Sequence, residues 1–182
     1  MALYTSLALP QTAAALPEAP ARPLEQRAAA LARGYYLALI EGRYEEAAGF
    51  LHPAVIEPLR DDLLGEAEGG PPQRGLAIAK ALGVSDLLAV RSLSAERFFA
   101  AWAKSPYGTS VQVLSRPELK SVVDVTDTRC SEAQGLCRVQ LILRATGEPT
   151  LPPSSLQVWA VNDDHRWLLT LTPPRSRAPA KP

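Results

Sequence analysis

The chain changes its hydrophobic period once, near its middle, and this change constrains the fold more than any other feature. Residues 23–104 carry apolar side chains at helical spacing, whereas residues 111–172 carry runs in which apolar and polar side chains alternate. The first pattern is typical of helices with a buried face, and the second is typical of half-buried strands. Helices followed by successive strands favour an α+β fold, with N-terminal helices packed into a curved antiparallel sheet.

Length and composition restrict the class of protein. The chain has 182 residues, of which 47% are hydrophobic, and this suits one domain with a sizeable core. It has 19 Lys plus Arg and 19 Asp plus Glu, so it lacks the basic excess that favours nucleic-acid binding. No apolar run reaches the roughly 18 residues that a membrane span needs. We therefore expect no nucleic-acid partner and no membrane span.

Proline-rich segments divide the chain into a domain and two tails. Residues 1–22 are rich in Ala and Pro, and residues 173–182 are rich in Pro and basic side chains. Both compositions are typical of extended chain ends, so residues 23–172 form the single expected domain. The small residues at 13–15 resemble the cleavage region of a signal peptide. A signal peptide also has Lys or Arg before its apolar run, and none precedes the run here. An Ala/Pro tail and a remnant of an export signal are therefore alternative interpretations of residues 1–22.

Local signals place the individual elements. The sequence predicts helices over residues 23–41, 43–51, 54–64, 76–82 and 95–104, with a loop over residues 65–72 and Ser94 as an N-cap. It predicts strands over residues 118–129, 136–145, 156–161 and 166–171, with a short fifth strand over 111–114 as an alternative. His52 and His165 lie at element ends without a Ser or Cys partner, so a nucleophilic triad has no support.

The two cysteines flank the first clear turn of the strand region. Cys130 and Cys137 are separated by a polar segment that contains Gly135, so they fall on neighbouring strands. Opposed Cβ atoms on such strands lie about 4.5 to 5.5 Å apart, which is close to disulfide distance. A disulfide indicates an oxidising compartment such as the periplasm, and reduced cysteines in a cytoplasmic protein are the alternative. No metal site is expected, because the short spacings of metal ligands are lacking.

Asp124 is a carboxyl group that this hairpin can place in apolar surroundings. If the hairpin is regular from its cysteines onward, Asp124 shares a face with Leu141 and Leu143. Burial there would raise the pKa of the carboxyl group and make it a candidate general base. A bulge would instead turn Val123 and Val125 inward and leave Asp124 in water.

Residues 33–47 and residues 167–171 resemble two segments of the nuclear-transport-factor-2-like superfamily, which includes SnoaL-like and ketosteroid-isomerase-like proteins. Residues 33–47, Arg-Gly-Tyr-Tyr-Leu-Ala-Leu-Ile-Glu-Gly-Arg-Tyr-Glu-Glu-Ala, resemble the junction of that superfamily's first two helices. Residues 167–171, Trp-Leu-Leu-Thr-Leu, resemble its last strand. The resemblance covers residues 24–171. It implies a cone in which the sheet wraps around the first helix and leaves an apolar pocket at the open end.

The resemblance also implies where a ligand would lie. Tyr35 or Tyr36 would place a phenol in the interior of the cone, where it can donate a hydrogen bond to a ligand carbonyl. A core tyrosine with a satisfied hydroxyl is the alternative for each. The expected pocket residues are Tyr35, Leu39, Leu141, Leu143 and Trp159.

The sequence favours a non-catalytic, exported domain of bacterial type that binds a small apolar ligand or a protein partner. No catalytic constellation, phosphate loop or dinucleotide fingerprint is present in the sequence, and no cofactor is expected. One alternative is an isomerase, dehydratase or cyclase with Asp124 as base and Tyr35 or Tyr36 as hydrogen-bond donor. Another is a structural subunit whose outer sheet face forms a homodimer or docks onto a larger assembly.

Overall fold

A computed structural model describes residues 23–115, 121–146 and 153–174 of the chain. The predicted tail at 1–22 lies outside the described residues, as does the predicted tail at 173–182 apart from its first two prolines. Within the described residues, seven α-helices precede a four-stranded antiparallel sheet, so the α+β class is confirmed. The helices are α1 (Pro23–Ile40), α2 (Tyr44–Gly49), α3 (Pro53–Glu68), α4 (Pro72–Ala81), α5 (Leu87–Ser92), α6 (Ala95–Lys104) and α7 (Thr109–Gln112). The strands are β1 (Ser121–Ser131), β2 (Leu136–Ala145), β3 (Ser154–Asp163) and β4 (Arg166–Thr170).

Helix α1 has nearly the extent that the sequence predicts. Pro23 occupies the first helical position, where a backbone N–H would have no partner within the helix. Gly42 follows the helix with φ of 70°, a left-handed conformation that glycine adopts without a steric penalty. Small side chains make up half of its buried face, which allows neighbouring elements to approach closely. The buried residues of α1 are Ala28, Ala32, Tyr35, Tyr36, Ala38 and Leu39.

Helix α3 is longer than the sequence predicts. The glycines that follow Leu64 indicate a loop, but the helix continues to Glu68 and also contains Pro58 without ending there. Gly65 inside a helix costs about 1 kcal/mol relative to Ala. Leu64 and Ala67 are both buried on α3, and the burial of these side chains outweighs that cost. The predicted loop at 65–72 is therefore confirmed only over residues 69–71, and it is wrong over 65–68, where tertiary packing overrides a weak local preference.

The structure confirms the predicted N-cap of α6 and contradicts the strand predicted after it. Ser94 caps α6, because its Oγ accepts a hydrogen bond from the backbone N–H of Arg97 at 3.2 Å. The alternative strand at residues 111–114 is wrong, because the chain there belongs to α7 and the turn after it. The side-chain amide of Gln112 donates hydrogen bonds to two backbone carbonyls at the end of α6, at 2.8 and 2.7 Å. These bonds hold α7 against α6.

The strands pair in the order in which they occur along the chain, and every pair is antiparallel. Cys130 lies opposite Cys137, as predicted from the spacing of the two cysteines. A bulge at Thr126 shifts the register between Val125 and Asp127. An extra residue reverses the side-chain alternation of one strand relative to its partner. The alternate residues of β1 that face inward before the bulge are therefore followed by residues of the other alternation after it.

One face of the sheet is buried against the helices. Helix α1 contacts all four strands. Within the described residues the sheet is open, with β1 and β4 at its two ends, and an isolated bridge from Leu51 to Leu169 lies beyond β4. The antiparallel sheet is thus confirmed, and its closure into a cone stays a prediction. The inward side chains include Val123, Val139, Leu141, Leu143, Val158, Ala160 and Leu169.

A disulfide bond joins β1 to β2 at the end of their hairpin. It links Cys130 to Cys137, whose Cα atoms are 4.0 Å apart. Gly135 takes φ of 58° in the turn, which a residue with a side chain adopts at a cost. The predicted pairing of the two cysteines is therefore confirmed.

Candidate functional site

The structure places Asp124 on the outer face of the sheet. Val123 is buried, so the next residue along β1 points to the opposite side. The carboxylate of Asp124 lies 3.2 Å from the guanidinium of Arg144 on β2, and the two side chains are 45% and 58% exposed. The interpretation that a regular hairpin places Asp124 beside Leu141 is therefore wrong. The bulged alternative is the observed one, because the bulge changes which residues of β1 face inward.

Tyr35 and Tyr36 are both core residues, at 3% and 7% exposed. Their rings meet edge to face with centroids 4.9 Å apart. Burial raises the pKa of the Tyr36 phenol to about 12. Burial also raises the pKa of the Tyr35 phenol, and the neighbouring Tyr36 raises it further. Both phenols therefore stay protonated at neutral pH.

The structure does not bring together the carboxyl group and phenol that the predicted enzyme needs. Tyr35 lies in the buried core, whereas Asp124 lies on the outer face beside Arg144. A general base and a hydrogen-bond donor act on one ligand only when both are within hydrogen-bond reach of it. The sheet itself separates this pair.

Most of the predicted pocket residues belong to the apolar core. Trp159 is the exception, because it alternates along β3 with the buried residues Val158 and Ala160 and so faces outward. This corrects the placement of Trp159 beside the other four. Neither of the two clefts described below is lined by any of the five. The four that lie in the core are Tyr35, Leu39, Leu141 and Leu143.

A cleft of about 500 Å³ opens between α1 and the start of β4. Volumes of this order are typical of sites for small molecules. Apolar side chains form one part of its lining, and cationic side chains form another. We call it the α1–β4 cleft, and its lining residues are Arg27, Ala30, Leu31, Phe50, His165, Arg166 and Trp167.

The apolar wall of the α1–β4 cleft depends on a close approach to α1. A Cβ atom added at Gly34 would lie 3.0 Å from the ring of Phe50, which is closer than side chains ordinarily pack. Glycine at this position therefore lets the Phe50 ring lie against the helix backbone. Leu31 lies one turn before Gly34 on the same side of α1. The side chains of Leu31 and Phe50 are both half-buried. The result is apolar surface that stays partly open to solvent.

The turn between β3 and β4 and the start of β4 supply the rest of the cleft lining. Asp164 and His165 have φ of 45° and 67°, the positive values that favoured two-residue hairpin turns require. This tight turn sends β4 straight back along β3. Trp167 shares a face with the buried Leu169 two residues later, so its ring points towards the helix side of the sheet. Arg166, the first residue of β4, also lines the cleft.

Hydrogen bonds fix the cationic side of the cleft. The guanidinium of Arg166 donates to the backbone carbonyl of Gly49, the last residue of α2, at 3.0 Å. Asp163, the register partner of Arg166, lies instead 3.4 Å from His52 Nε2. His52 Nδ1 accepts a hydrogen bond from the N–H of Ala54 and caps α3. His52 thus caps the helix that follows it and lies beside the carboxylate of Asp163.

A second cleft, of about 390 Å³, lies between α3 and α5. Its walls carry Arg60 and Asp61, together with the ion pair between Glu68 and Arg91. The guanidinium of Arg60 lies 4.9 Å from the centre of the Phe98 ring and donates to a backbone carbonyl of α5's C-cap at 2.9 Å. Charges of both signs line this cleft evenly, so its chemistry does not select a ligand of one charge.

The described residues contain no group of three or more His, Cys, Asp or Glu side chains placed to hold a metal ion. None of the helices in the described ranges combines the length and the apolar character that crossing a membrane requires. Comparison of the chain with protein-family models, with curated proteins and with solved structures finds no match in any of the three.

Sequence reasoning missed the α1–β4 cleft. Leu31 lies within the predicted first helix, and nothing in the helical spacing shows that its side chain is only half-buried. The cleft joins residues from three separate elements, and no local pattern predicts that they meet. One usable signal is Gly34 within a strongly helical segment, because glycine there indicates that another group approaches the helix closely.

Proposed function

We propose that the protein is a non-catalytic binding domain of nuclear-transport-factor-2-like class, and that the α1–β4 cleft holds its ligand. One observation carries this proposal: Leu31, Phe50 and Trp167 leave partly exposed apolar surface in a concave site of about 500 Å³. Apolar concave surface that carries a few polar groups is the common character of ligand sites. In the proposed fold the sheet curves around α1, and the cleft lies at the margin of this interface.

The outer face of the sheet supports a binding domain over a structural subunit. This face carries the ion pair of Asp124 with Arg144, and Asp127 lies 3.0 Å from Arg129 and 3.8 Å from Arg138. Stable homodimer interfaces are more apolar than ordinary protein surface and are depleted in charged side chains at their centre. A sheet face crossed by exposed ion pairs is therefore a poor candidate for a permanent interface.

The separation of Asp124 from Tyr35 supports a binding role over an isomerase, dehydratase or cyclase. Such an enzyme needs an acid–base group and an electrophilic donor around one ligand atom. The α1–β4 cleft instead offers two arginines and a histidine beside apolar groups, without a lining carboxylate. This set is suited to hold and orient a ligand.

We infer export from the disulfide bond between Cys130 and Cys137, because disulfides persist in oxidising compartments. The test is alkylation of the protein purified from its native compartment, with and without prior reductant. We expect the mass of the unreduced protein to stay unchanged, and two alkyl groups to appear only after reduction. Alkylation of both thiols without reductant would remove the support for export and favour a cytoplasmic protein.

The binding proposal is tested with the uncharged dye Nile red, whose fluorescence rises in apolar surroundings. We expect saturable binding to the protein, and we expect Ala30→Trp to abolish it. Ala30 is exposed and lines the cleft, so the indole ring fills the site without disturbing the core.

The matched control is Ala77→Trp, an exposed position of α4 that does not line the cleft. This variant adds the same ring to a different helix and should bind the dye like the wild type. If Ala30→Trp binds the dye as strongly as Ala77→Trp, the α1–β4 cleft is not the site and the proposal fails.

A further inference from the structure

We propose that the ligand of the α1–β4 cleft is an organic anion with an apolar body, such as a long-chain carboxylate. This inference rests on the proposed function, because it assigns the chemistry of the same site. Three features support it: arginines without carboxylate partners, nearby carboxylates with other partners, and an apolar floor in the same cleft.

The arginines of the cleft differ from most others in the described chain. Six arginines form ion pairs with carboxylates, whereas Arg27 and Arg166 have no ion-pair partner among the described residues. Arg33 and Arg97 are the other two exposed arginines in this state, and neither lines the cleft. Two unpaired guanidinium groups around one concave surface indicate that the neutralising anion comes from outside the chain. The six paired arginines are Arg43, Arg74, Arg91, Arg129, Arg138 and Arg144.

Two carboxylates close to Arg166 in the fold have other partners. The carboxylate of Asp163 lies 3.4 Å from His52 Nε2. Glu96 accepts hydrogen bonds from its own backbone N–H and from the Ser94 hydroxyl, which lower its pKa, and the charge of Arg166 lowers it only as a smaller contribution. Neither carboxylate lines the cleft, and neither forms an ion pair with Arg166.

Arg166 is held in position but keeps most of its donors. A guanidinium has five N–H donors in a planar fork, and the structure gives Arg166 one bond, to the carbonyl of Gly49. That bond restricts the Arg166 side chain, so less rotational freedom is lost when an anion binds. Planar donors of this kind match the geometry of a carboxylate.

Besides the two arginines, the cleft is lined mainly by apolar side chains, which form its floor. Leu31, Phe50 and Trp167 are half-buried, and Ala30 opens the surface by its small size. Removing an alkyl or aromatic group from water against this floor favours binding in proportion to the area covered. A ligand that uses both parts of the cleft therefore joins an anionic head to an apolar body.

The test uses two ligands of equal chain length and opposite charge, sodium decanoate and decyltrimethylammonium, both below the concentration at which micelles form. Titration calorimetry measures each, and Nile red binding is measured in parallel. We expect decanoate to bind at least about tenfold more tightly than the cation, since charge-assisted hydrogen bonds form only with the anion. The double variant Arg27→Gln/Arg166→Gln should abolish this preference.

The control is Arg33→Gln/Arg97→Gln, which removes two equally unpaired arginines outside the cleft and should leave the preference unchanged. The single variant Arg27→Gln serves if the double variant does not fold, because Arg27 is exposed and makes no ion pair with a described residue. It should reduce the preference for decanoate.

The outcomes separate the inference from the proposed function. If both ligands bind equally, or if Nile red binds while neither decyl ligand does, the anionic class is wrong and the binding domain stands. Loss of the preference in the control variant to the same degree as in the cleft variant also overturns the inference. If neither ligand nor the dye binds, both proposals fall.

Discussion

The two faces of the sheet obey different physical rules, although they alternate residue by residue along the same strands. Leu141 is fully buried on the inner face, and Ile142 beside it is only half-buried on the outer face. The inner face gains its stability from packing against α1, whereas the outer face carries exposed ion pairs such as that of Asp124 with Arg144. The difference teaches that the inner face determines the fold and tolerates little change, while the outer face is free to vary.

The sharpest test of this comparison is truncation of the two neighbours on β2. Leu141→Ala should lower the free energy of unfolding by about 3 kcal/mol, because it removes buried methyl groups and leaves a cavity. Ile142→Ala should lower it by about 1 kcal/mol, since a half-buried side chain has less to lose. Urea unfolding measured at equilibrium gives both values from the shift of the midpoint at constant slope.

Equal losses in the two variants would break the comparison. They would mean that the outer face of β2 is covered in solution as completely as the inner face. In that case a second copy or a partner must cover it, and the structural-subunit hypothesis would regain its support. Sedimentation velocity of the Ile142→Ala variant beside the wild type would then distinguish a lost assembly from a lost packing contact.

The inner face could be predicted from the sequence because its signal is local. The alternation of Cys137, Val139, Leu141 and Leu143 fixes which side of β2 is buried, and all four are buried. The cysteine spacing likewise predicts the pairing of β1 with β2. The ends of the elements are harder to predict where packing competes with helix propensity. In α3, for example, the burial of side chains extends the helix past Gly65.

The candidate site could be predicted only in part, because it depends on how distant segments meet. A bulge of one residue at Thr126 decides whether Asp124 faces the core or water, and the sequence allows both. The α1–β4 cleft joins Leu31 to Trp167 across most of the chain. No period or spacing connects these residues, so only the assembled fold brings them into one site.

The tyrosines of α1 offer a second test of the buried side, through pH. The pKa of the Tyr36 phenol rises from 10.0 to about 12 on folding, so the folded state favours the protonated form. The stability due to this preference is fully present below about pH 10 and is lost as the pH rises through about 12. The expected slope is about 1 kcal/mol per pH unit for one phenol. Denaturant unfolding at a series of alkaline pH values measures this loss.

Tyr36→Phe isolates the contribution of this phenol, because it keeps the ring and removes the titrating hydroxyl. The variant should lose stability less steeply than the wild type above pH 10. Tyr107→Phe is the control, since Tyr107 is 36% exposed, and it should follow the wild-type curve. Identical pH profiles for Tyr36→Phe and the wild type would show that the Tyr36 phenol reaches water in the folded protein.

The smallest expected effect comes from Asp124→Asn on the outer face. The pair of Asp124 with Arg144 is about half exposed on both sides, and such ion pairs contribute about 0.5 kcal/mol or less to stability. The variant should therefore unfold within about 0.5 kcal/mol of the wild type and bind Nile red unchanged, and a double-mutant cycle with Arg144→Gln measures the coupling. A loss of several kcal/mol, or loss of dye binding, would place this carboxylate in a buried or ligand-contacting site. That result would make Asp124 a candidate base again. It would also mean that the outer face of β1, like the inner face, tolerates little change.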